Sequence, residues 1–130
     1  MKPAAVDTNV LVRLATGDNL REHQAAARSL AHRPWRVLLT VVLETEWVLR
    51  SRYGYAPPQF AAFVQWLDAH PHVDLAQAAT VRKALASHLA GMDFADALHL
   101  AQAGGDPLLT LDKALQRKAD SLGLRVEALV

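Results

Sequence analysis

Three carboxylates of this sequence lie beside apolar segments, where a charged side chain needs a stabilising partner. Asp7 follows a short apolar run near the N-terminus, and Asp93 and Asp96 stand three residues apart at the head of an apolar stretch. Because an unpaired carboxylate in apolar surroundings is costly, this placement indicates a bound cation. Divalent metal ions held by acids promote phosphodiester hydrolysis, which is the chemistry we expect here.

Two further acids occupy comparable positions. Asp112 comes two residues after an apolar, strand-like segment, and Glu44 lies in the first turn of an expected helix. Ligands of open parallel sheets bind at the carboxyl ends of the strands, so these acids are expected at one edge of the sheet. Mg²⁺ takes oxygen ligands such as carboxylates. The sequence therefore predicts an acidic cluster for one or two ions, with some carboxylate pKa values raised without metal.

Glu46 follows Glu44 by two residues, and helical spacing predicts that the two side chains face different sides of the helix. On a helical wheel Glu44 falls beside Val41 and Trp47, which predicts a carboxylate on an apolar side that needs a cation. Glu46 has Arg50 at i+4, the spacing of an ordinary surface ion pair. We therefore predict that Glu44 is the ligand and that Glu46 is not.

Each aspartate also has a purely structural interpretation. Asp7 could start a turn. Asp93 could be an N-cap residue, Asp96 a first-turn acid favoured by the helix dipole, and Asp112 the cap of the last helix. Taken one at a time, these readings are at least as good as the metal reading, so only the combination favours a site.

Several residues near the acids have an open role. His99, one turn after Asp96, could reach the edge of the site, although a packed and hydrogen-bonded ring is favoured. Arg13 could neutralise the acids or touch a phosphate, or it could be a surface arginine. Three basic residues after the last acid could follow an RNA backbone, although a solvated helix face is favoured: Lys113, Arg117 and Lys118.

Short apolar segments alternate with helical patterns along the chain. Strands are predicted at 3–6, 37–39, 72–74, 108–110 and 125–127. Helices are predicted at 10–16, 20–33, 41–52, 57–70, 78–89, 93–103 and 113–122, with Asn9, Asn19 and Thr40 as caps of the first three. This alternation predicts an α/β fold with a central parallel sheet and helices on both of its faces.

Composition limits the class of protein. The 130 residues are 52% hydrophobic, enough for the core of one domain spanning 1–130. The absence of cysteine excludes disulfides and thiolate sites and fits a reducing cytoplasm. No apolar stretch approaches a membrane span, and the N-terminus does not resemble a signal peptide. We therefore expect a soluble cytoplasmic protein without a membrane partner.

The charge balance becomes informative once the acids are set aside. The net charge is +1, from 14 Lys and Arg against 13 Asp and Glu. If four acids hold metal, the remaining surface is mildly basic and suits a polyanionic substrate. Ordinary solvation of a small domain explains the charge alone equally well or better.

Four segments together resemble a known family. Residues 6–11, 41–49, 93–101 and 109–113 read VDTNVL, VVLETEWVL, DFADALHLA and LTLDK. In this order they resemble the PIN domain and, more narrowly, the VapC-type toxins of prokaryotic toxin–antitoxin systems. The resemblance covers essentially the whole chain. A single motif of this kind is weak, but four in series are specific.

The resemblance implies a Rossmann-like α/β/α sandwich and a Mg²⁺- or Mn²⁺-dependent endoribonuclease acting on RNA. Four positions match the metal-binding acids of the family: Asp7, Glu44, Asp96 and Asp112. Asp93 matches an accessory acid that completes the catalytic set. Two polar residues match positions that orient the acids: Asn9 and Thr110.

The resemblance also implies partners, namely a VapB-type antitoxin and a second copy of the chain in a homodimer. Four aromatic residues lie on two consecutive predicted helices: Trp47, Phe60, Phe63 and Trp66. Most are expected in the core, and any exposed part offers a groove to an amphipathic segment.

Three alternatives stay open at this stage. A PIN-type RNA-processing or DNA nuclease would act without an antitoxin. A phosphatase that forms an aspartyl-phosphate would need an acid two residues after Asp7, where this chain has Asn9. A non-catalytic interaction module would bind no Mn²⁺ and would tolerate loss of Asp96.

Overall fold

A three-stranded parallel sheet organises the first of two compact units in the computed structural model, which describes residues 2–130. The first unit ends at Gln77, and the second spans Ala78–Val130. The elements of the first unit are β1 Ala4–Ala5, α1 Thr8–Thr16, α2 Leu20–His32, β2 Trp35–Val37, α3 Leu39–Tyr53, α4 Pro57–Ala69 and β3 Val73–Leu75. The predicted single domain 1–130 stays a prediction.

Two crossover connections link the three parallel strands of the first unit. Strand β2 lies in the middle, with β1 and β3 parallel to it on either side. Each return to the sheet passes through two helices, as a parallel connection requires. In the registers Ala4 faces Trp35 and Val37 faces Leu75.

The core of the first unit explains why these segments form the elements they do. Trp35 and Val37 of β2 are buried on the helix-covered sheet. Leu11 of α1, Leu49 of α3 and Leu67 of α4 are buried with at most 1% of their surface exposed. Helix α1 packs on α2 and α3. Removing these apolar side chains from water is the main stabilising contribution to the unit.

The second unit has its own strands and helices: α5 Ala78–Leu89, α6 Phe94–Ala103, β4 Leu108–Thr110, α7 Lys113–Ser121 and β5 Val126–Ala128. Helix α5 packs along α6, with Val81, Ala84 and Phe94 fully buried. Strands β4 and β5 pair in parallel, and α7 connects them and contacts both. This α/β architecture with helices flanking a parallel sheet confirms the predicted fold class.

Several predicted boundaries were wrong near the acids. Strand β2 covers 35–37 rather than 37–39, and α3 begins at Leu39 without a side-chain cap, so Thr40 is not its cap. Helix α1 begins at Thr8, and its N-cap is Asp7 rather than Asn9. The apolar run from 37 to 39 conceals the change from strand to helix, because both elements there bury apolar side chains.

Other predicted ends were correct. Asn19 caps α2 by accepting a hydrogen bond of 3.0 Å from the Glu22 backbone N–H. Gly17 ends α1 at φ 63°, a left-handed conformation that a side chain would strain. Within residues 2–130, no helix combines the length and the apolar character needed to cross a bilayer.

Candidate active site

The carboxylate of Asp7 is fixed at the start of α1. The residue has extended backbone angles, φ −82° and ψ 160°, and its side chain accepts a hydrogen bond of 2.8 Å from the Thr8 backbone N–H. Strand β1 ends two residues earlier. The carboxylate is exposed and lies at the N-terminal end of the helix. Asp7 is therefore a pre-oriented, solvent-accessible anion.

Thr8 links this anion to Glu44. The Thr8 side chain is buried, and its Oγ1 donates a short hydrogen bond to Glu44 Oε1. The bond joins the first residue of α1 to α3, which pack against each other. The first unit thus brings Asp7 and Glu44 together. Thr8 was not among the predicted site residues, although a hydroxyl between Asp7 and Asn9 was an available signal.

The predicted contrast between Glu44 and Glu46 was wrong in its physical basis. The Glu44 side chain is exposed, whereas Glu46 is 4% exposed and lies 2.9 Å from Arg50 Nε. Helix α3 buries residues around much of its circumference: Val41, Val42, Thr45, Glu46 and Leu49. A helical wheel based on apolar residues alone therefore predicted the wrong buried side for α3. The predicted ion pair between Glu46 and Arg50 is correct, but the Glu46 carboxylate is buried rather than on the surface.

Asn9, predicted to support the acids, lies in the first turn of α1 with an exposed side chain. The described residues give its amide no hydrogen bond. Arg13, one turn further, donates to Glu22 at 2.8 Å and to the Tyr53 hydroxyl at 3.2 Å. These partners raise the pKa of Arg13, and they hold its guanidinium between α1, α2 and α3. Arg13 therefore links α1 to α2 and α3 through its side chain.

The second unit gathers the remaining acids at two helix starts. Asp93 is the N-cap of α6, and its carboxylate accepts from the Asp96 backbone N–H at 3.2 Å. Asp112 is the N-cap of α7 and accepts from the Leu115 backbone N–H at 3.1 Å. Thr110 Oγ1 accepts a hydrogen bond of 3.0 Å from the Asp112 backbone N–H.

The charges of these three carboxylates act on one another. The pKa of Asp96 is raised from its ordinary value, first by partial burial and then by the negative charges of Asp93 and Asp112. The nearby His99 opposes the shift. Burial disfavours the charged form of Asp96, the two neighbouring charges add repulsion, and a bound cation would relieve that repulsion. Within the second unit, Asp93 and Asp112 therefore act electrostatically on Asp96.

His99 departs from its favoured interpretation. The ring is exposed rather than packed, and its influence on the Asp96 pKa places it near the acids. A position at the edge of the candidate site is thus favoured for His99 over a packed ring.

The capping interpretations of Asp93 and Asp112 are correct, and Asp7, interpreted as a turn residue, is an N-cap as well; capping alone does not explain why these residues are acids. Asp7, Asp93 and Asp112 are all N-caps. Asparagine caps a helix about as well as aspartate does. Capping therefore accounts for the position of each side chain and leaves its charge to be explained.

The donor chemistry fits a hard divalent cation. All five acids present carboxylate oxygens, which Mg²⁺ and Mn²⁺ prefer, and the chain contains no cysteine. Within residues 2–130, no three His, Asp or Glu side chains form a ready-made metal cluster. The crowding around Asp96 is the observation that fits a cation, since added positive charge would lower the repulsion.

Comparison with known families identifies the class. The family described as PIN domain matches residues 4–121. The chain therefore belongs to the PIN domain family. PIN domains are generally nucleases, and these nucleases generally use divalent metal ions. Among curated proteins, none matches the chain. All seven candidate site residues lie inside the matched range.

Proposed function

We propose that this protein is a metal-dependent endoribonuclease and the VapC-type toxin of a toxin–antitoxin pair. The observation that carries the nuclease part is the set of interacting carboxylates at the starts of α6 and α7, in a chain of the PIN family. The resemblance of its four motifs to VapC-type toxins supports the narrower role.

Under this proposal, Mg²⁺ or Mn²⁺ is held by Asp7, Glu44, Asp96 and Asp112, with Asp93 assisting. A metal bound by such acids lowers the pKa of a bound water and stabilises charge on the phosphate in a displacement reaction.

The chain itself contributes orientation. Thr8 holds one oxygen of Glu44, and the helix N–H groups hold one oxygen each of Asp7, Asp93 and Asp112. Each of these acids keeps its second oxygen available. Pre-oriented oxygens lose little freedom when a ligand binds, which favours tight and geometrically defined binding.

The substrate class is tested by comparing three phosphoesters. We expect cleavage of single-stranded RNA with Mg²⁺ or Mn²⁺, and no cleavage after chelation. Preferred cleavage of DNA would indicate a DNA nuclease, and preferred hydrolysis of a small phosphomonoester would indicate a phosphatase. Failure to bind Mn²⁺ by calorimetry, together with no cleavage, would favour a non-catalytic interaction module.

An apolar groove of the first unit supports the antitoxin as a partner. Trp66 is 49% exposed and lies beside Phe63 in a groove of about 390 Å³, whereas Phe60 is buried in the core. The groove is lined mainly by apolar residues of α1, α2 and α4: Leu14, Ala27, Leu30, Ala31, Phe63 and Trp66. An amphipathic helix of the antitoxin would bury its apolar side chains there.

The partner proposal is tested with the product of a short neighbouring gene. Co-expression should give a stable complex that no longer cleaves RNA. Ala27→Arg, which places a charge in the groove, should weaken the complex and leave cleavage by the free chain intact. Trp47→Ala, which removes an aromatic that is 54% exposed on α3, is the control and should leave the complex intact.

Two further expectations belong to this proposal. The chain should form a homodimer, which sedimentation would show as twice the chain mass. It should act in the cytoplasm, where its RNA substrate is found. A monomer at micromolar concentration would contradict the first expectation without affecting the nuclease proposal.

A further inference from the structure

Lys118 of α7 is a half-buried cation without a carboxylate partner. Within the described part of the chain, no ion pair within 4.0 Å and no side-chain hydrogen bond involves its ammonium. A lysine can bury its aliphatic stem while its charged head stays near water. A charge held in this way is available to a ligand.

Gly91 makes room for this ammonium. A Cβ atom at position 91 would lie 2.8 Å from Lys118 Nζ and 3.0 Å from its Cε, closer than nonbonded atoms normally approach. The glycine also has φ 104°, a conformation that side chains rarely adopt. The lysine head therefore rests against the bare backbone of the loop between α5 and α6.

That loop leads directly to the acids. Gly91 stands two residues before Asp93, and Lys118 belongs to the helix that Asp112 caps. The ammonium thus rests on backbone two residues from Asp93, and no ion pair joins it to the acids. A nucleic acid held at such a cluster needs cations for its neighbouring phosphates, because the acids repel them.

We propose that Lys118 is a positioning residue that binds a backbone phosphate of the RNA next to the one held at the acids. The inference rests on the proposed nuclease function and assigns the substrate contact to one side chain. A phosphate contact of this kind positions the strand without reading its sequence. The competing explanation is structural: a cation near the C-terminal end of α5 would stabilise the helix dipole.

The salt dependence of RNA binding separates the two explanations. Binding of a labelled single-stranded RNA is measured over a range of salt concentrations with chelator present, so that the strand is not cut. Each phosphate contact contributes about 0.7 to the slope of log affinity against log salt for a single strand. We expect Lys118→Met to reduce the slope by about that amount and Lys118→Arg to retain it.

Lys83→Met is the matched control, because Lys83 is an exposed lysine of α5 in the same unit. This variant should bind RNA with the wild-type slope. Gly91→Ala should displace the ammonium and reduce the slope as Lys118→Met does. Combining the two changes should give no further reduction, because Gly91 acts on the RNA through Lys118.

The outcomes also distinguish this inference from the proposed function. If wild-type protein cleaves RNA with Mg²⁺ but Lys118→Met keeps the wild-type slope, the phosphate contact is wrong and the nuclease assignment stands. A change in thermal stability without a change in slope would likewise assign Lys118 a structural role and overturn the contact. If wild-type protein neither binds nor cleaves RNA, both proposals fall.

Discussion

Glu44 and Glu46 lie two residues apart on α3 and have different surroundings. Their substitutions should therefore have different effects on RNA cleavage and on the free energy of unfolding. Glu44 is exposed and bonded to Thr8, so Glu44→Gln should change the free energy of unfolding by no more than about 0.5 kcal/mol. Its RNA cleavage should fall by at least the roughly 10–100-fold that loss of a residue supporting a metal ligand costs.

Glu46→Gln should show the reverse pattern. The substitution weakens a partly buried ion pair with Arg50, so it should lower the free energy of unfolding by about 1 kcal/mol and leave cleavage intact. Denaturant unfolding and an RNA cleavage assay on both variants provide the comparison. Loss of cleavage in Glu46→Gln but not in Glu44→Gln would reverse the assignment.

The raised pKa of Asp96 predicts a dependence of stability on pH. Between the ordinary carboxyl pKa and the raised one, the folded chain binds more protons than the unfolded chain. The free energy of unfolding therefore falls as the pH rises through that interval. Without metal, Asp96→Asn should be more stable than wild type at neutral pH, and the difference should vanish in acid, where the carboxyl is protonated in both states.

Thermal unfolding with chelator at neutral and acidic pH measures this effect. Asp120→Asn, which removes an exposed carboxylate of α7, is the control for a simple change in net charge. A neutral-pH stability of Asp96→Asn below that of wild type would show that the carboxylate is not under repulsion.

At the residue scale, the choice of Glu44 stays a prediction, and the structure changes the physical argument for it. Position in the motif found Glu44, whereas the apolar wheel placed it on the buried side of α3. The wheel could not foresee that Glu46 would be buried beneath a largely exposed Arg50, because that burial depends on how α3 packs. Thr8 was missed, since a bond between residues 36 positions apart needs the tertiary structure.

At the element scale, Asn19 and Pro57 marked helix starts correctly, whereas Asn9 and Thr40 were wrong as caps. Asn19 and the Pro57 start of α4 were predicted correctly, because a side-chain cap and a fixed φ are local properties. The boundary between β2 and α3 was displaced, because burial of Val37 and the residues after it depends on the sheet and its covering helices.

The helices of the first unit should depend on a few core side chains. Leu49 of α3 is fully buried, so Leu49→Ala should lower the free energy of unfolding by about 2–5 kcal/mol through lost apolar contacts and a cavity. The same change at Leu20 of α2, which is 67% exposed, should cost no more than about 0.5 kcal/mol. Denaturant unfolding checks both values, and equal losses would contradict this account of the core.

At the scale of the whole molecule, the order of strands and helices was enough to predict the fold class. Strands followed by helices, repeated along 130 residues, require parallel connections whatever the individual boundaries are. The family match over residues 4–121 agrees with that order. The division into two compact units was not foreseen, because no Pro- or Gly-rich linker marks it in the sequence near Gln77.

The central claim is that the charge of the acids, and not their capping, performs RNA cleavage. Asp7→Asn tests it most directly, because asparagine keeps the cap of α1 and removes the charge. With Mg²⁺, wild type and Asp120→Asn should cleave RNA, while Asp7→Asn should lose cleavage and keep its unfolding free energy. Cleavage by Asp7→Asn at the wild-type rate, or by wild type in the presence of chelator, would contradict the account.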